Sequence, residues 1–310
     1  MTAAWRPAGD RPLRVGLAGL GSMGRNHLRI LAGRSDIRLV AVADPLADAV
    51  AGATAQCGAR GFAEPLAATV DEGMAIVSAA RLGGVPVQVG HVERFNPAVL
   101  ELGRLIGEGW LSAVYAIASR RAGPFPARIR DVGVTVDLAT HDVDILSWIA
   151  GERPSRVYAE TAQRIHADHE DLLFGLLHFP SGATGMLDVN WLTPAKRRQL
   201  VVVGEEGMFE LDYLTQRLTF TRATDTTNPR LIGGYAPTFE GEVAEVPVAS
   251  AEPLAAELDA FLGVVRNGGR PVVDAEDGLW AVAVASSLLE SATGGYAIDL
   301  SELSTRFAVA

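Results

Sequence analysis

Four residues in one stretch of this chain have the types and spacing of an acid–base centre. Asp137, His141, Asp144 and Trp148 fall at i, i+4, i+7 and i+11, so a helix over residues 131–151 carries them on one face. Leu138, Ile145 and Ile149 make a second stripe, and Ala139, Val143, Leu146 and Ala150 a third. A polar stripe flanked by apolar ones is expected to open into a cleft rather than onto bulk solvent. One turn separates Asp137 from His141, which lets the carboxylate orient the imidazole and favour its protonated form. Such a pair can move a hydroxyl proton during hydride transfer. The plainer alternative is a helix-capping aspartate next to a histidine satisfied in the core.

A hydride needs an acceptor, and the element suited to hold one lies near the N-terminus. Gly19, Gly21, Ser22, Met23 and Gly24 belong to a glycine-rich turn, preceded by a strand-like run over 13–18 and followed by a helix-like run over 25–33. A second strand-like run, 37–43, ends at Asp44. The first glycine allows the tight turn, the second lets backbone approach a pyrophosphate, and the third lets helix and strand pack closely. Asp44 can accept hydrogen bonds from ribose hydroxyls and would repel a 2′-phosphate, which favours NAD over NADP. A glycine turn in some unrelated α/β protein is the alternative, but the succession of strand, turn, helix, strand and acid favours the dinucleotide.

The rest of the chain supplies two settings for these residues. At 310 residues there is length for two domains, each with its own core. Residues 46–56 read as a helix. Thr69 and Glu72 form a capping box for another helix to about residue 81, and 85–89 reads as a strand. A further helix carries Val99, Leu102, Leu105 and Ile106 on its apolar side. From residue 111 strand patterns follow one another: 114–120, 156–163, 171–179, 183–191, 199–203, 208–211 and 217–221. Residues 224–241 read as a long loop, 253–266 and 275–292 as helices, and 297–299 as a last strand. The expected fold class is α/β: a parallel Rossmann-type sheet in a dinucleotide-binding domain over 1–92, then an α+β domain with a largely antiparallel open sheet over 93–310.

Composition narrows the partners. A formal net charge of −10 without a basic stripe argues against nucleic acid. The single cysteine, Cys57, leaves no internal disulfide framework and fits a reducing compartment. The most apolar run, 279–289, is far short of the roughly 20 residues of a membrane span. The expectation is a soluble cytoplasmic protein. Among weaker candidates, His166 and His169 with Asp168 and Glu170 could ligate a metal or simply form a solvated loop. Arg120, Arg121, Arg128 and Arg130 could hold a substrate diphosphate or be a charged loop. Lys196, Arg197 and Arg198 begin a strand, where exposed charge is the ordinary reading. Lys196 is the only lysine among 27 lysines and arginines.

With these residues in view the chain resembles the glucose–fructose oxidoreductase/inositol dehydrogenase/MocA family of sugar dehydrogenases over nearly its whole length. The motifs that carry the resemblance are the turn from Gly19 to Gly24, Pro65-Leu66, the segment Gly90-His91-Val92-Glu93-Arg94-Phe95-Asn96-Pro97, and Asp137 four residues before His141, with Asp144. The resemblance implies NAD as cofactor, an acid–base role for Asp137 and His141, and a homo-oligomer built through the C-terminal sheet. The Gly90 to Pro97 segment and the arginine-rich loop look most like members acting on nucleotide sugars, such as UDP-N-acetylglucosamine 3-dehydrogenase. On that likeness Arg94, Asn96, Arg128 and Asp144 are the substrate-binding candidates.

The chain also departs from the family. Where members carry a Glu-Lys-Pro motif, this sequence has Ala63-Glu64-Pro65, with no lysine before position 196. No Thr-Pro pair, which members place beside the nicotinamide, precedes Thr193-Pro194. Two mononucleotide halves use about six strands, and residues 1–92 supply three. At roughly 30 residues per βαβ unit, some 40 to 50 are missing near residues 62–65. The second expectation is therefore a binding member that lost hydride transfer with this segment.

Overall fold

The computed structural model describes residues 12–18, 20, 22–43, 48, 52–53, 60–62, 70–126, 132–223, 241–301 and 303. They form two compact units, one of residues 1–90 with Leu254–Ala275 and one of His91–Pro253 with residues 276–310.

In the first unit β1 (Leu13–Ala18) leads to α1 (Ser22–Ala32) and back to β2 (Ile37–Ala43). β3 (Arg60–Phe62) and α2 (Val70–Gly83) follow. The three strands pair in parallel in the order β1-β2-β3. Leu28 and Leu31 of α1 bury against Leu13, Ile37, Leu39 and Val42 of the sheet. Residues 85–89 do not form the expected strand: Gln88 makes only an isolated bridge to Asp274, and the Val89 N–H donates to the Val273 carbonyl at 3.0 Å. This segment pairs with a loop rather than a sheet, and Pro86 has no N–H to offer a ladder. The expected helix over 46–56 and the capping residues Thr69 and Glu72 lie mostly outside the described residues or their described side chains.

The second unit opens with α3 (Pro97–Gly107). The Asn96 carboxamide oxygen caps it by accepting from Ala98 N at 3.1 Å, and Pro97 occupies the first turn, where no N–H is missed. β4 (Val114–Pro124) follows, then a π-helical turn over Thr135–Ala139 that continues into α4 (Thr140–Ala150). Gly151 ends α4 in the left-handed region at φ 71°, where a side chain would be strained. β5 (Arg156–Ala162), β6 (Leu172–His178), β7 (Thr184–Asn190), β8 (Leu192–Gly204), β9 (Gly207–Asp212), β10 (Arg217–Arg222) and β11 (Val243–Val246) build the sheet.

The chain then returns to the first unit as α5 (Pro253–Asn267), where Leu262 joins the first core and Leu258 and Val265 pack against it. Arg266 of α5 also reaches Asp36, at 2.7 Å. The second unit is thus not the continuous 93–310 read from the sequence, because the apolar face of α5 finishes the first core. α6 (Ala275–Gly294) and β12 (Ile298–Asp299) complete the chain.

Nine strands run in the order β11-β10-β9-β8-β4-β7-β6-β5-β12, with β4 and β7 parallel and the other pairs antiparallel. The fold class read from the sequence is the one found: a small parallel sheet, and a large, mostly antiparallel one. Alternation along the strands gives the large sheet two different faces. Leu173 and Leu177 of β6 and Leu187 and Val189 of β7 are buried with Val143, Leu146 and Ile149 of α4. Between them Phe174, Leu176 and Met186 stand about half exposed on the other face. No helix of the described residues is long and apolar enough to cross a membrane.

Candidate active site

α4 and the π turn before it carry the polar residues of the second unit. A π turn widens the helix by one residue per turn and is found mostly at functional sites. Here it separates Asp137, inside the turn, from His141, on regular α-helix. Its start is anchored from a distance: Glu170 accepts from Thr135 N at 3.0 Å, and its own carbonyl accepts from Val134 N at 3.0 Å. A side chain at Gly133 would collide with that carboxylate, which would have to move away from Thr135 N.

The loop that delivers Glu170 is the one containing His166 and His169. The Asp171 carboxylate accepts from Arg164 N and His166 N, and His166 Nδ1 accepts from the amides of Asp168 and His169 at 3.1 and 3.0 Å. The ring of His166 packs on Phe125 and Trp191. These polar groups spend themselves shaping the loop.

Two buried ion pairs flank α4. Asp144 accepts from Arg94 Nε at 2.7 Å and from Arg94 Nη2 at 3.0 Å. His91 Nδ1 lies 3.2 Å from the same carboxylate but off hydrogen-bond alignment, and is left unsatisfied. Burial would raise the Asp144 pKa, but His91 and Arg94 outweigh it and hold the group below its ordinary value. On the other side Asp142, wholly buried, accepts from Ser119 Oγ at 2.7 Å and from Arg121 Nε at 2.8 Å. Arg121 Nη1 reaches Glu93 at 3.3 Å, and the guanidinium carbon sits 5.5 Å from the centre of the Tyr213 ring.

His141 lies near both pairs. Its ring meets that of His91 edge-on at 5.3 Å, and its Nδ1 is buried without a partner. Burial first, then the positive charges of Arg121, His91 and Arg198, push its pKa down to about 3, against a smaller opposing effect from Asp144. The expectation that a nearby carboxylate would favour the protonated form is overturned, because cations and burial dominate. The resident form is neutral imidazole, which is the form able to accept a proton. Tyr213 Oη and Arg121 Nη2 are also buried without partners. Burial first, then Asp142, lifts the Tyr213 pKa well above the ordinary phenol value, so it remains a donor.

This antiparallel sheet and its helices carry a family signature. The GFO/IDH/MocA C-terminal domain matches residues 99–210, a span that includes α4 and the sheet strands on either side of it. Over these residues the chain is similar to the Gfo/Idh/MocA family. Inositol 2-dehydrogenase 2 of Saccharopolyspora erythraea is 27% identical, with 91% of this chain and 94% of that protein covered. That comparison runs over 334 residues, more than the 310 of this chain, so part of the relative has no counterpart here. Among solved structures, UDP-N-acetylglucosamine 3-dehydrogenase GnnA from Acidithiobacillus ferrooxidans superposes with a TM-score of 0.78 at 20% identity, covering 91% of this chain and 98% of that one. The WlbA dehydrogenase from Bordetella pertussis, in complex with NADH and UDP-GlcNAcA, gives 0.78 at 21%, covering 95% and 99%. At these identities the structural likeness establishes the fold. Among the described residues the first sheet has three strands, which agrees with a shortened Rossmann domain.

Within this family fold the residues singled out from sequence are distributed unevenly. Arg94, Asp144 and His141 come together. Asn96 is buried as the cap of α3, and its amide donates to the Tyr213 carbonyl and to Glu93, both at 3.2 Å. Asp137 lies within electrostatic range of Arg198. Ser22 is the first residue of α1, and Met23 and Gly24 follow on it. Gly19, Gly21, Asp44, Arg128 and Pro65 lie outside the described residues. Arg120 and Arg121 are not in a loop before the helix. β4 extends through them to Pro124, turning Arg121 inward to Asp142 and Arg120 outward to Asp188 at 3.0 Å. Sequence reading passed over Asp142, Ser119 and Tyr213. The one signal for them was a second aspartate beside His141.

Proposed function

We propose that the chain is an NAD-dependent oxidoreductase acting on a hydroxyl of a sugar or nucleotide sugar, with His141 as proton acceptor. The observation that supports this most is a neutral, partly buried imidazole with two orphaned donors, Arg121 Nη2 and Tyr213 Oη, in the same unit. A substrate hydroxyl bonded to His141 would pass its proton to the ring as its carbon loses hydride, a contribution of about 10²- to 10⁴-fold for a positioned base. Arg121 and Tyr213 would satisfy other substrate oxygens. Asp137, one residue group back in the π turn, would stabilise the imidazolium that forms, and Arg94 holds Asp144 in place on the next turn.

Bound NAD supplies the hydride acceptor. Gly19, Gly21, Ser22, Met23 and Gly24 would hold its pyrophosphate and Asp44 its adenosine ribose. What supports the fit is the register of the first sheet: Ala18 at the end of β1 pairs with Ala43 at the end of β2. β1 and β2 therefore end at the same edge of the sheet, with α1 starting at Ser22, the arrangement from which a dinucleotide site is built. The three strands among the described residues would provide for the adenosine half.

Replacing His141 with Ala should abolish turnover while NADH affinity, read by fluorescence, stays nearly unchanged. Undiminished turnover would sink the proposal. A second reading is favoured by the three-stranded sheet and by the lack of a lysine before Lys196: a binding member without hydride transfer. Saturable NADH binding with no turnover across UDP-sugars, inositols and aldoses would select it. Assembly through the open sheet face, where Phe174, Leu176 and Met186 cluster, completes the proposal. Phe174→Asp should then lower the mass seen by sedimentation.

A further inference from the structure

Arg121 on β4 and Arg198 on β8 are direct partners in an antiparallel pair. Lys196, two residues before Arg198 on β8, lies against Gly123 of β4 and feels the charges of both Arg198 and Arg121. Like charges set directly opposite each other weaken a ladder unless opposite charge joins them. Arg121 is partly answered by Asp142 and Glu93, but its Nη2 is buried without a partner in a residue only 6% exposed.

Arg198 is held differently. Its Nη1 donates to the carbonyls of Ala122 and Arg197, both at 2.8 Å. Among the described residues neither Arg198 nor Lys196 has a carboxylate within ion-pair distance. Asp142, Glu93 and Asp137 lie in electrostatic range of Arg198 but do not offset burial and Arg121, and its pKa falls to about 10. Lys196 is lowered by burial, then by Arg198 and Arg121, against Glu93. Arg198 and Arg121 both act on His141, so the two arginines lie close enough to influence the proposed catalytic centre.

We infer that Arg121 Nη2, Arg198 and Lys196 form a subsite for an oxyanion, a carboxylate or phosphate carried by the sugar. This rests on reading His141 as the centre of a sugar site. Guanidinium groups suit both oxyanions because their N–H groups pair with two oxygens at once. The subsite explains why the chain keeps its only lysine on β8 beside two arginines, and it makes charged sugars the preferred class over neutral ones.

The test is calorimetric binding to the full chain of glucose, glucuronate, glucose 6-phosphate and inorganic phosphate, with Arg198→Gln and Lys196→Gln beside the parent. Thermal melts establish that each variant is folded. One lost charge-assisted contact predicts that the charged sugars bind about tenfold or more tighter than glucose, and that Arg198→Gln removes this advantage while leaving glucose unaffected. The order of glucuronate and glucose 6-phosphate identifies which oxyanion fits. Equal affinity for charged and neutral sugars, an Arg198→Gln variant that binds like the parent, or no binding of any probe would overturn the subsite. Because the readout is binding, a parent without turnover would remove the dehydrogenase proposal and leave this one standing.

Discussion

Arg94 and Asp144 grip each other through two parallel hydrogen bonds, with both side chains buried and fifty positions apart in the chain. Removing one partner strands a charge in a site with little water, which typically costs about 3–5 kcal/mol. Asp144→Ala and Arg94→Ala should each lose stability on that scale in urea unfolding. The double variant Arg94→Met/Asp144→Leu should recover much of it, since the desolvation cost disappears with both charges. Additive losses would mean that the pair does not act as a unit. Arg94 also lies over the Trp148 ring at 5.2 Å, so some loss on the arginine side is packing rather than charge.

The His141 ring should resist protonation. Its folded pKa of about 3 lies below the ordinary 6.5. Below pH 6.5 the unfolded chain takes up a proton that the folded chain refuses. Stability from this group is complete above that pH and falls as pH drops from 6.5 towards 3. Ring-proton NMR should show His141 untitrated at pH 5, and His141→Gln should flatten this part of the stability profile. A midpoint near 6.5 would contradict the arrangement of cations around the ring.

What could be read in the sequence divides by distance. Helical spacing within ten residues was enough to place His141 and Asp144 on α4, and the spacing of Val99, Leu102, Leu105 and Ile106 was enough to place α3. Partners were not readable, because Arg94 with Asp144, Arg121 with Asp142 and Glu170 with Thr135 meet only when sheet and helices fold together. The π turn escaped for a related reason. Its start is held by Glu170 from another loop, and a 3.6-residue period drawn through Asp137 and His141 assumes no such interruption. The return of α5 was equally hidden, since its apolar face has no mark telling which core it completes.

Glu257 on α5 gives the first unit a pH dependence of its own. Only 5% of it is exposed, its Oε2 has no hydrogen-bond partner, and burial raises its pKa to about 7. A carboxyl raised above its unfolded value near 4.5 keeps its proton in the folded state while the unfolded chain releases it. Its contribution therefore favours folding at low pH and declines as pH climbs from 4.5 to 7, the reverse of a salt-bridged acid. At about 1.4 kcal/mol per pKa unit the loss amounts to a few kcal/mol by neutral pH. Gln88, whose amide donates to the Glu257 carbonyl at 3.1 Å, also has a buried side-chain oxygen without a partner. Glu257→Gln keeps the shape of the group and removes its charge. The variant should melt higher than the parent at pH 8 and nearly together with it at pH 5, in thermal unfolding followed by circular dichroism. A parent whose stability does not fall between these values, or a variant equally shifted at both, would show that Glu257 is not buried in this way.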